Sequence, residues 1–259
     1  QWPVHIVTIP GVGFPFSFTA WYRSGNSNDG PLGFGWEHSY MRRVESTGTP
    51  GSSDAIVYDG TGRKDVYTWS GSAYTTPNGL YNSLVYFAGS DTFEIHDLYC
   101  SGCKTFAKRV GNTWKITRIK DRNNNQMVMG YDASDRLSTV TDTRGKVVTF
   151  SYTAQNRIDY FTDWANRKYD FTYDANGDLT ETITPIVAGW PSGKKTTYTY
   201  ASGQASAWLN HNLLSIADPK NPGTPFLVNV YESATDRVDT QRYGTASQVF
   251  DFQYFAGKT

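Results

Sequence analysis

The sequence predicts an all-β protein built from stacked antiparallel β-hairpins, and three observations lead to this prediction. Aromatic residues make up 15% of the 259 residues, and such residues favour a pleated, half-buried surface. The 24 Gly and 11 Pro interrupt the chain frequently, and no stretch of about 12 residues combines helical apolar periodicity with helix caps. Finally, the same residue types return every 21 positions through the middle of the chain, which indicates a repeat architecture.

Four columns of residues recur with this spacing. They are Tyr131, Tyr152 and Tyr173; Leu137, Ile158 and Leu179; Asp121, Asp142 and Asp163; and Ile119, Val140 and Phe161. Before each tyrosine the apolar side chains alternate, as at Met127 and Met129, and a period of two predicts a strand with one buried face. A turn rich in Asn, Asp and Gly follows, then a second short strand and a second turn. Each unit is therefore predicted to contain two strands and two turns.

One hairpin is marginally stable in water, so each unit must bury its apolar face against its neighbours. We therefore predict a sheet that winds into a spiral or partial shell, with an aromatic inner face and a polar outer face. Residues 1–110 are predicted to form an N-terminal β-rich cap and degenerate repeats, with the cap closing the first sheet edge. Residues 111–183 carry the regular repeats, and residues 184–259 carry degenerate repeats with an insertion.

Within the last region, degenerate strands are predicted in four segments: 196–200, 213–219, 226–231 and 249–254. The chain begins with Gln1 rather than Met and stops about where another unit would begin. We therefore expect a processed product or a fragment, with the next strand supplied by further sequence or by a partner.

Short motifs give the chain a family resemblance. Residues 131–137 (YDASDRL) and 173–179 (YDANGDL) resemble the Tyr-Asp-x-x-Gly-Arg-Leu signature of RHS/YD-repeat proteins. Residues 119–125 (IKDRNNN) resemble the turn between strands of that family, and residues 30–40 (GPLGFGWEHSY) resemble its N-terminal segment. The resemblance spans nearly the whole chain and is densest at 114–183.

Three positions depart from the family pattern. Asp135 and Asn156 stand where glycine is usual, and Thr153 replaces the aspartate that follows the repeat tyrosine. All three substitutions still suit turns.

The resemblance implies a spiral shell, which in bacteria often encloses a C-terminal toxin, as in insecticidal toxin complexes. Teneurins use a related shell in adhesion. The family's self-cleaving core lies towards the C-terminal end of the repeats and has no counterpart here, so no catalytic residues are carried over. The implied function is a non-catalytic extracellular or cell-surface scaffold that encloses or displays a C-terminal effector. A surface adhesin or glycan-binding module and a self-assembling filament subunit are the alternatives.

Charge and motifs exclude several other classes. Lys and Arg number 24, as do Asp and Glu, so the net charge is zero and no basic nucleic-acid footprint covers the chain. No apolar run reaches the roughly 18 residues of a membrane span. The four His are far apart and no catalytic motif occurs, so we expect no enzyme, metal or cofactor. The expected partners are the chain's own repeats, further copies of the chain, an encapsulated effector or surface glycans.

Candidate site residues fall into three groups. The predicted structural repeat residues are Tyr131, Asp132, Leu137, Asp142, Tyr152, Ile158, Asp163, Tyr173, Asp174 and Leu179. The aspartates at 121, 142 and 163 could form a ladder of calcium ligands, or each could cap its own turn through the backbone. Trp164, Trp190 and Trp208 interrupt the repeats and could stack on glycans or fill gaps in an irregular core.

Cys100 and Cys103 form the third group. They could make a small disulfide loop, which fits an oxidising compartment, or stay unpaired at a turn. A zinc site would need two more ligands, and a thioredoxin-like pair would need a βαβ context. Haem attachment would need a histidine where Lys104 stands.

Overall fold

The computed structural model describes residues 1–97, 103–111, 113–206, 209–233, 235–244 and 248–255. Across this part of the chain the regular structure is almost entirely β-strand, with one short 3-10 helix at Ala88–Ser90. No helix among these residues is long and apolar enough to cross a bilayer. The all-β prediction is confirmed.

Three N-terminal strands form a sheet of their own. Its antiparallel order is β1 (Trp2–Ile9), β2 (Phe16–Tyr22) and β5 (Trp36–His38), with a small hairpin of β3 (Asp29–Gly30) and β4 (Gly33–Phe34) between β2 and β5. Every second side chain of β2 is buried, because that strand turns one apolar face towards the rest of the protein.

The next eight strands form a ring that is nearly closed. They are β6 (Arg43–Ser46), β7 (Ala55–Tyr58), β8 (Lys64–Trp69), β9 (Tyr74–Thr75), β10 (Asn82–Phe87), β11 (Thr92–Asp97), β12 (Cys103–Val110) and β13 (Thr113–Lys120). Each pairs with its neighbour except β9 and β10, which lie side by side, and β13 returns to pair with β6. All eight strands contribute to one apolar cluster, which includes Phe93 and Trp114.

The hairpin repeats extend from the other half of β13. Their strands are β14 (Gln126–Tyr131), β15 (Leu137–Thr141), β16 (Val147–Tyr152), β17 (Ile158–Thr162), β18 (Lys168–Tyr173), β19 (Leu179–Ile183), β20 (Lys195–Tyr200), β21 (Leu213–Ala217), β22 (Leu227–Tyr231), β23 (Val238–Tyr243) and β24 (Val249–Asp251). Each is antiparallel to the one before it. With β6 to β13 they make one open, 19-stranded sheet among the described residues, which confirms the predicted stack of hairpins.

The sheet of β1, β2 and β5 covers a face of this sheet, whereas β6, which also lies within the predicted cap of residues 1–110, pairs with β13. The buried side chains of β2 belong to the same core cluster as those of the repeats. A strand that is apolar on alternate positions gains most by laying that face on another apolar face. The N-terminal half of β13 pairs with β6, where Trp114 lies opposite Val44.

The turns of the repeats share one backbone conformation. The fourth residue of each turn is left-handed, whether it is Gly or not: φ is +60° at Asp135, +62° at Asn156 and +84° at Gly177. In the turns at the other end of the strands, Gly145 has a φ of +77° and Asn166 has a φ of +58°. Asn and Asp tolerate this region better than other side chains, which explains how they replace the family's glycine.

Asn166 tests this explanation, because its side chain is exposed. We expect Asn166→Ala to lower the free energy of unfolding by about 1 kcal/mol, since alanine is strained at positive φ. Asn166→Gly should cost nothing or stabilise slightly, because glycine adopts this conformation freely. Urea denaturation of both variants measures the difference. Equal effects of the two substitutions would show that the backbone conformation at Asn166 does not limit stability.

Candidate functional site: the interface of the N-terminal sheet with the repeats

The apolar side chains that the repeats present on one face meet the buried face of β2. Phe18, at the centre of β2, has no exposed surface. Its ring centroid lies 5.9 Å from Phe150, 5.1 Å from Phe161 and 5.9 Å from Phe171. These rings come from β16, β17 and β18, so one side chain of the N-terminal sheet joins three consecutive strands of the repeats. Such aromatic contacts add to the stabilisation that burial alone provides.

Polar atoms within this interface find partners across it. The Nε1–H of Trp36 donates to the hydroxyl of Tyr200 at 2.9 Å. The Tyr22 hydroxyl donates to the carbonyl of His211 at 2.9 Å and accepts from the backbone N–H of Leu213 at 3.0 Å. Because buried polar groups are costly unless paired, these bonds fix how the N-terminal sheet sits on the later repeats.

The loop that contains the Gly-Pro-Leu-Gly motif docks on two repeat turns. The carbonyl of Pro31 accepts a hydrogen bond from the backbone N–H of Ile158 at 2.8 Å, and its oxygen lies 3.2 Å from the Tyr173 hydroxyl oxygen. Gly33 has a φ of +93°, and a Cβ there would lie 2.7 Å from the carbonyl oxygen of Gly177. Glycine is therefore required at residue 33 both for its backbone conformation and for this close approach.

His211 and Asp178 interact with each other at the end of the interface where Phe34 lies. His211 Nδ1 lies 2.9 Å from each carboxylate oxygen of Asp178, and the His211 ring stacks on Phe34 at 4.0 Å. Burial raises the pKa of Asp178, and the hydrogen bond from His211 opposes that effect. The pair connects a repeat turn to the segment before β21, and Phe34 brings β4 to the same point.

His38 is also at this interface, stacked on Phe18 with a ring separation of 4.9 Å. Burial lowers the pKa of His38 to about 3, so the imidazole stays neutral at physiological pH. This is a packing role, and no group of three or more His, Cys, Asp or Glu among the described residues is placed to hold a metal ion.

Comparisons with known proteins agree with the motifs. The RHS Repeat family matches residues 131–158. This segment of the chain is similar to an RHS repeat. Residues 4–67 match a second family, described as Domain of unknown function (DUF6531), which covers the N-terminal sheet and the first strands of the ring. The resemblance to RHS/YD-repeat proteins is thus confirmed.

A comparison with solved structures also found matches. One is the N-terminal domain of effector protein SpvB from Salmonella typhimurium strain LT2, with 13% identity over 83% of this chain and 98% of that chain, at a TM-score of 0.41. Another is the crystal structure of TcdB2-TccC3-TEV, with 13% identity and a TM-score of 0.34; the match covers 90% of this chain and 14% of that chain. None of the curated proteins compared with this sequence matches it.

The repeat tyrosines link each hairpin to the one before it. The hydroxyls of Tyr131, Tyr152 and Tyr173 each donate to a carbonyl 15 residues earlier, at 2.8 Å in every case. Each tyrosine also stands at a shift in strand register. The signature tyrosine is therefore a connection between repeats as well as an apolar side chain.

The RHS aspartates cap their own turns. The Asp132 Oδ1 atom accepts the backbone N–H groups of Ser134 and Arg136, both at 2.9 Å. Asp142, Asp163 and Asp174 accept the equivalent pairs. This is the turn-capping alternative of the two considered for the aspartate column. The branched side chains at Leu137, Ile158 and Leu179 are buried beside these turns.

Two of the tryptophans that interrupt the repeats are only partly accessible. Trp164 and Trp190 are half-buried, and Trp164 packs against the core. Lys146 Nζ lies 4.8 Å from the Trp164 ring centre, and Lys194 Nζ lies 5.9 Å from that of Trp190. A lysine thus occupies one ring face of each. Trp208 lies outside the described residues.

Cys103, at the start of β12, is disulfide-bonded. Cys100 lies outside the described residues.

Proposed function

We propose that this chain is a wall section of an extracellular RHS-repeat shell that encloses or displays a C-terminal effector. One observation carries the proposal: the N-terminal sheet covers the apolar face of the hairpins, while the same tyrosine link recurs in the three regular repeats. A hairpin that bonds to the preceding hairpin through the same contact can be stacked repeatedly with that contact unchanged. The side chains that recur are all committed to packing and turns, and the proposal assigns no reaction to them.

The disulfide at Cys103 supports the extracellular part of the proposal, because disulfides persist mainly in oxidising environments. The region that encloses an effector would have to lie beyond the part of the sheet that β2 covers, since Phe18 and its neighbours already fill that face.

Intact-mass analysis and C-terminal peptide sequencing of the protein from its native source test the enclosure. We expect a mass well above 29.0 kDa, with further repeats and a C-terminal domain. Limited proteolysis should then spare that domain in the native protein and digest it when it is expressed alone. A native end at Thr259, or equal digestion in both forms, would refute enclosure and leave the chain as a scaffold only.

A further inference from the structure

A cleft opens where the N-terminal loop, the start of β6, the strand β13 and the first two RHS turns meet. Its volume is about 490 Å³, which suits a small molecule. Five cationic side chains line it, against the two carboxylates of Asp29 and Asp135. The cations are Arg42, Arg43, Lys115, Arg136 and Arg157.

Three of these cations already have an acidic partner. The pairs are Arg43 with both Glu45 and Glu37, Arg136 with Asp132 and Arg157 with Asp29. These ion pairs connect residues in the walls of the cleft. The two remaining cations are Arg42 and Lys115.

Arg42 and Lys115 form no ion pair with a carboxylate among the residues that the structure describes. An Arg42 guanidinium nitrogen donates only a long bond of 3.4 Å to the Thr105 hydroxyl, and its Nε has no hydrogen-bond partner. The Lys115 ammonium donates to the backbone carbonyl of Asp135 at 2.6 Å. Partial burial lowers the pKa of Lys115.

The pairing of β13 with β6 places Lys115 directly opposite Arg43. Like charges opposite each other destabilise a sheet, and the carboxylates of Glu45 and Glu37 offset this repulsion only on the Arg43 side. An anion in the cleft beside the two strands would interact favourably with Lys115 and would give Arg42 a charged partner.

We propose that this cleft binds a small organic oxyanion, a molecule whose negative charge lies on carboxylate or phosphate oxygens. Arg42, Arg43 and Lys115 recognise it through charge-assisted hydrogen bonds, because guanidinium groups match such oxygens in geometry. Charge is the basis of recognition here and sugar stacking is not. The ring faces of Tyr131 and Tyr152 are occupied by Lys115 at 5.6 Å and Arg136 at 4.5 Å. This inference does not depend on the proposed shell.

Calorimetric titration of the full chain tests the inference with three probes: citrate, inorganic phosphate and uncharged glucose. We expect saturable binding of at least one oxyanion, weakened by added salt, and no binding of glucose. The tighter of the two oxyanions tells whether carboxylate or phosphate is preferred. Arg42→Met and Lys115→Met should each weaken binding about tenfold or more. Lys64→Met, an exposed lysine outside the cleft, should leave binding unchanged.

Thermal denaturation provides a second measurement, which compares the unmodified chain with Lys115→Met. Citrate or phosphate should raise the melting temperature of the unmodified chain, and Lys115→Met should reduce this shift while folding normally, because it removes one of two opposed cations. If neither oxyanion binds the unmodified chain, or if both cleft variants bind as tightly as the Lys64→Met control, the inference is wrong. If Lys115→Met does not fold, Arg42→Met with the oxyanion titrations still decides the matter.

Discussion

Phe18→Ala is expected to lower the free energy of unfolding by about 3–5 kcal/mol, the range for deleting a fully buried phenylalanine ring. Phe18 has no exposed surface and contacts rings on three strands of the repeats. Removing it leaves a cavity that rigid sheets on both sides cannot easily fill. Urea denaturation followed by tryptophan fluorescence measures the loss.

The matched control is Phe87→Ala in β10, because Phe87 is 43% exposed and its loss should cost no more than about 0.5 kcal/mol. Limited proteolysis adds a local measurement: the Phe18 variant should be cut faster in the segment between β1 and β2. If Phe18→Ala and Phe87→Ala cost the same, the N-terminal sheet is not anchored on the repeats as the structure indicates.

The repeat unit is the part of the fold that the sequence predicts best. The alternation at Met127 and Met129 and the turn residues at 132–135 are local signals, and the strands β14 and β15 lie where those signals place them. The sequence does not predict the nearly closed ring of β6 to β13, because its strands are short and carry no repeated pattern. The placement of the cap on a face of the sheet was also missed, since it depends on contacts between residues more than 100 positions apart.

Strand β22 shows why local patterns fail in the degenerate repeats. In the predicted strand segment 226–231 the large apolar residues alternate at Phe226, Val228 and Val230. The strand instead buries Leu227 and Asn229 and leaves Val230 51% exposed. Asn229 is tolerated inside because its Nδ2 donates to the Leu213 carbonyl at 2.8 Å and its Oδ1 accepts from Gln241 at 2.8 Å. A polar residue with all its partners present can be buried at little cost, and the partners are visible only in three dimensions.

The interface is predictable in its residue types and not in its contacts. Tyr152 stands out in the sequence as a repeat residue, but its bond to the Leu137 carbonyl is visible only in three dimensions. The pairing of His211 with Asp178 joins residues 33 positions apart in different turns, and nothing in either local sequence signals it.

The protein is expected to unfold steeply as the pH rises above about 10, and buried tyrosines are the cause. Burial raises the pKa of eight tyrosine hydroxyls far above the value of about 10 that they have in an unfolded chain. They are Tyr22, Tyr40, Tyr131, Tyr152, Tyr173, Tyr198, Tyr200 and Tyr231. Below pH 10 both states hold these protons, so their contribution to stability is fully present. Above it only the unfolded chain loses them, and stability falls.

Each such tyrosine removes about 1.4 kcal/mol of stability per pH unit above 10. Eight of them together remove about 11 kcal/mol by about pH 11, which is comparable to the whole free energy of unfolding of a typical protein. Tyrosinate absorbance and far-ultraviolet circular dichroism should therefore change together, in one cooperative transition.

The slope of the urea midpoint against pH counts the protons released on unfolding, and Tyr152→Phe should reduce that count by about one. The same substitution also removes the hydrogen bond to Leu137, which lowers stability at every pH but leaves the slope of the other tyrosines unaltered. Gradual ionisation of these tyrosines near pH 10 with the circular dichroism unchanged would contradict the burial of the repeat hydroxyls. The tyrosine link between the repeats would then be open to solvent rather than buried.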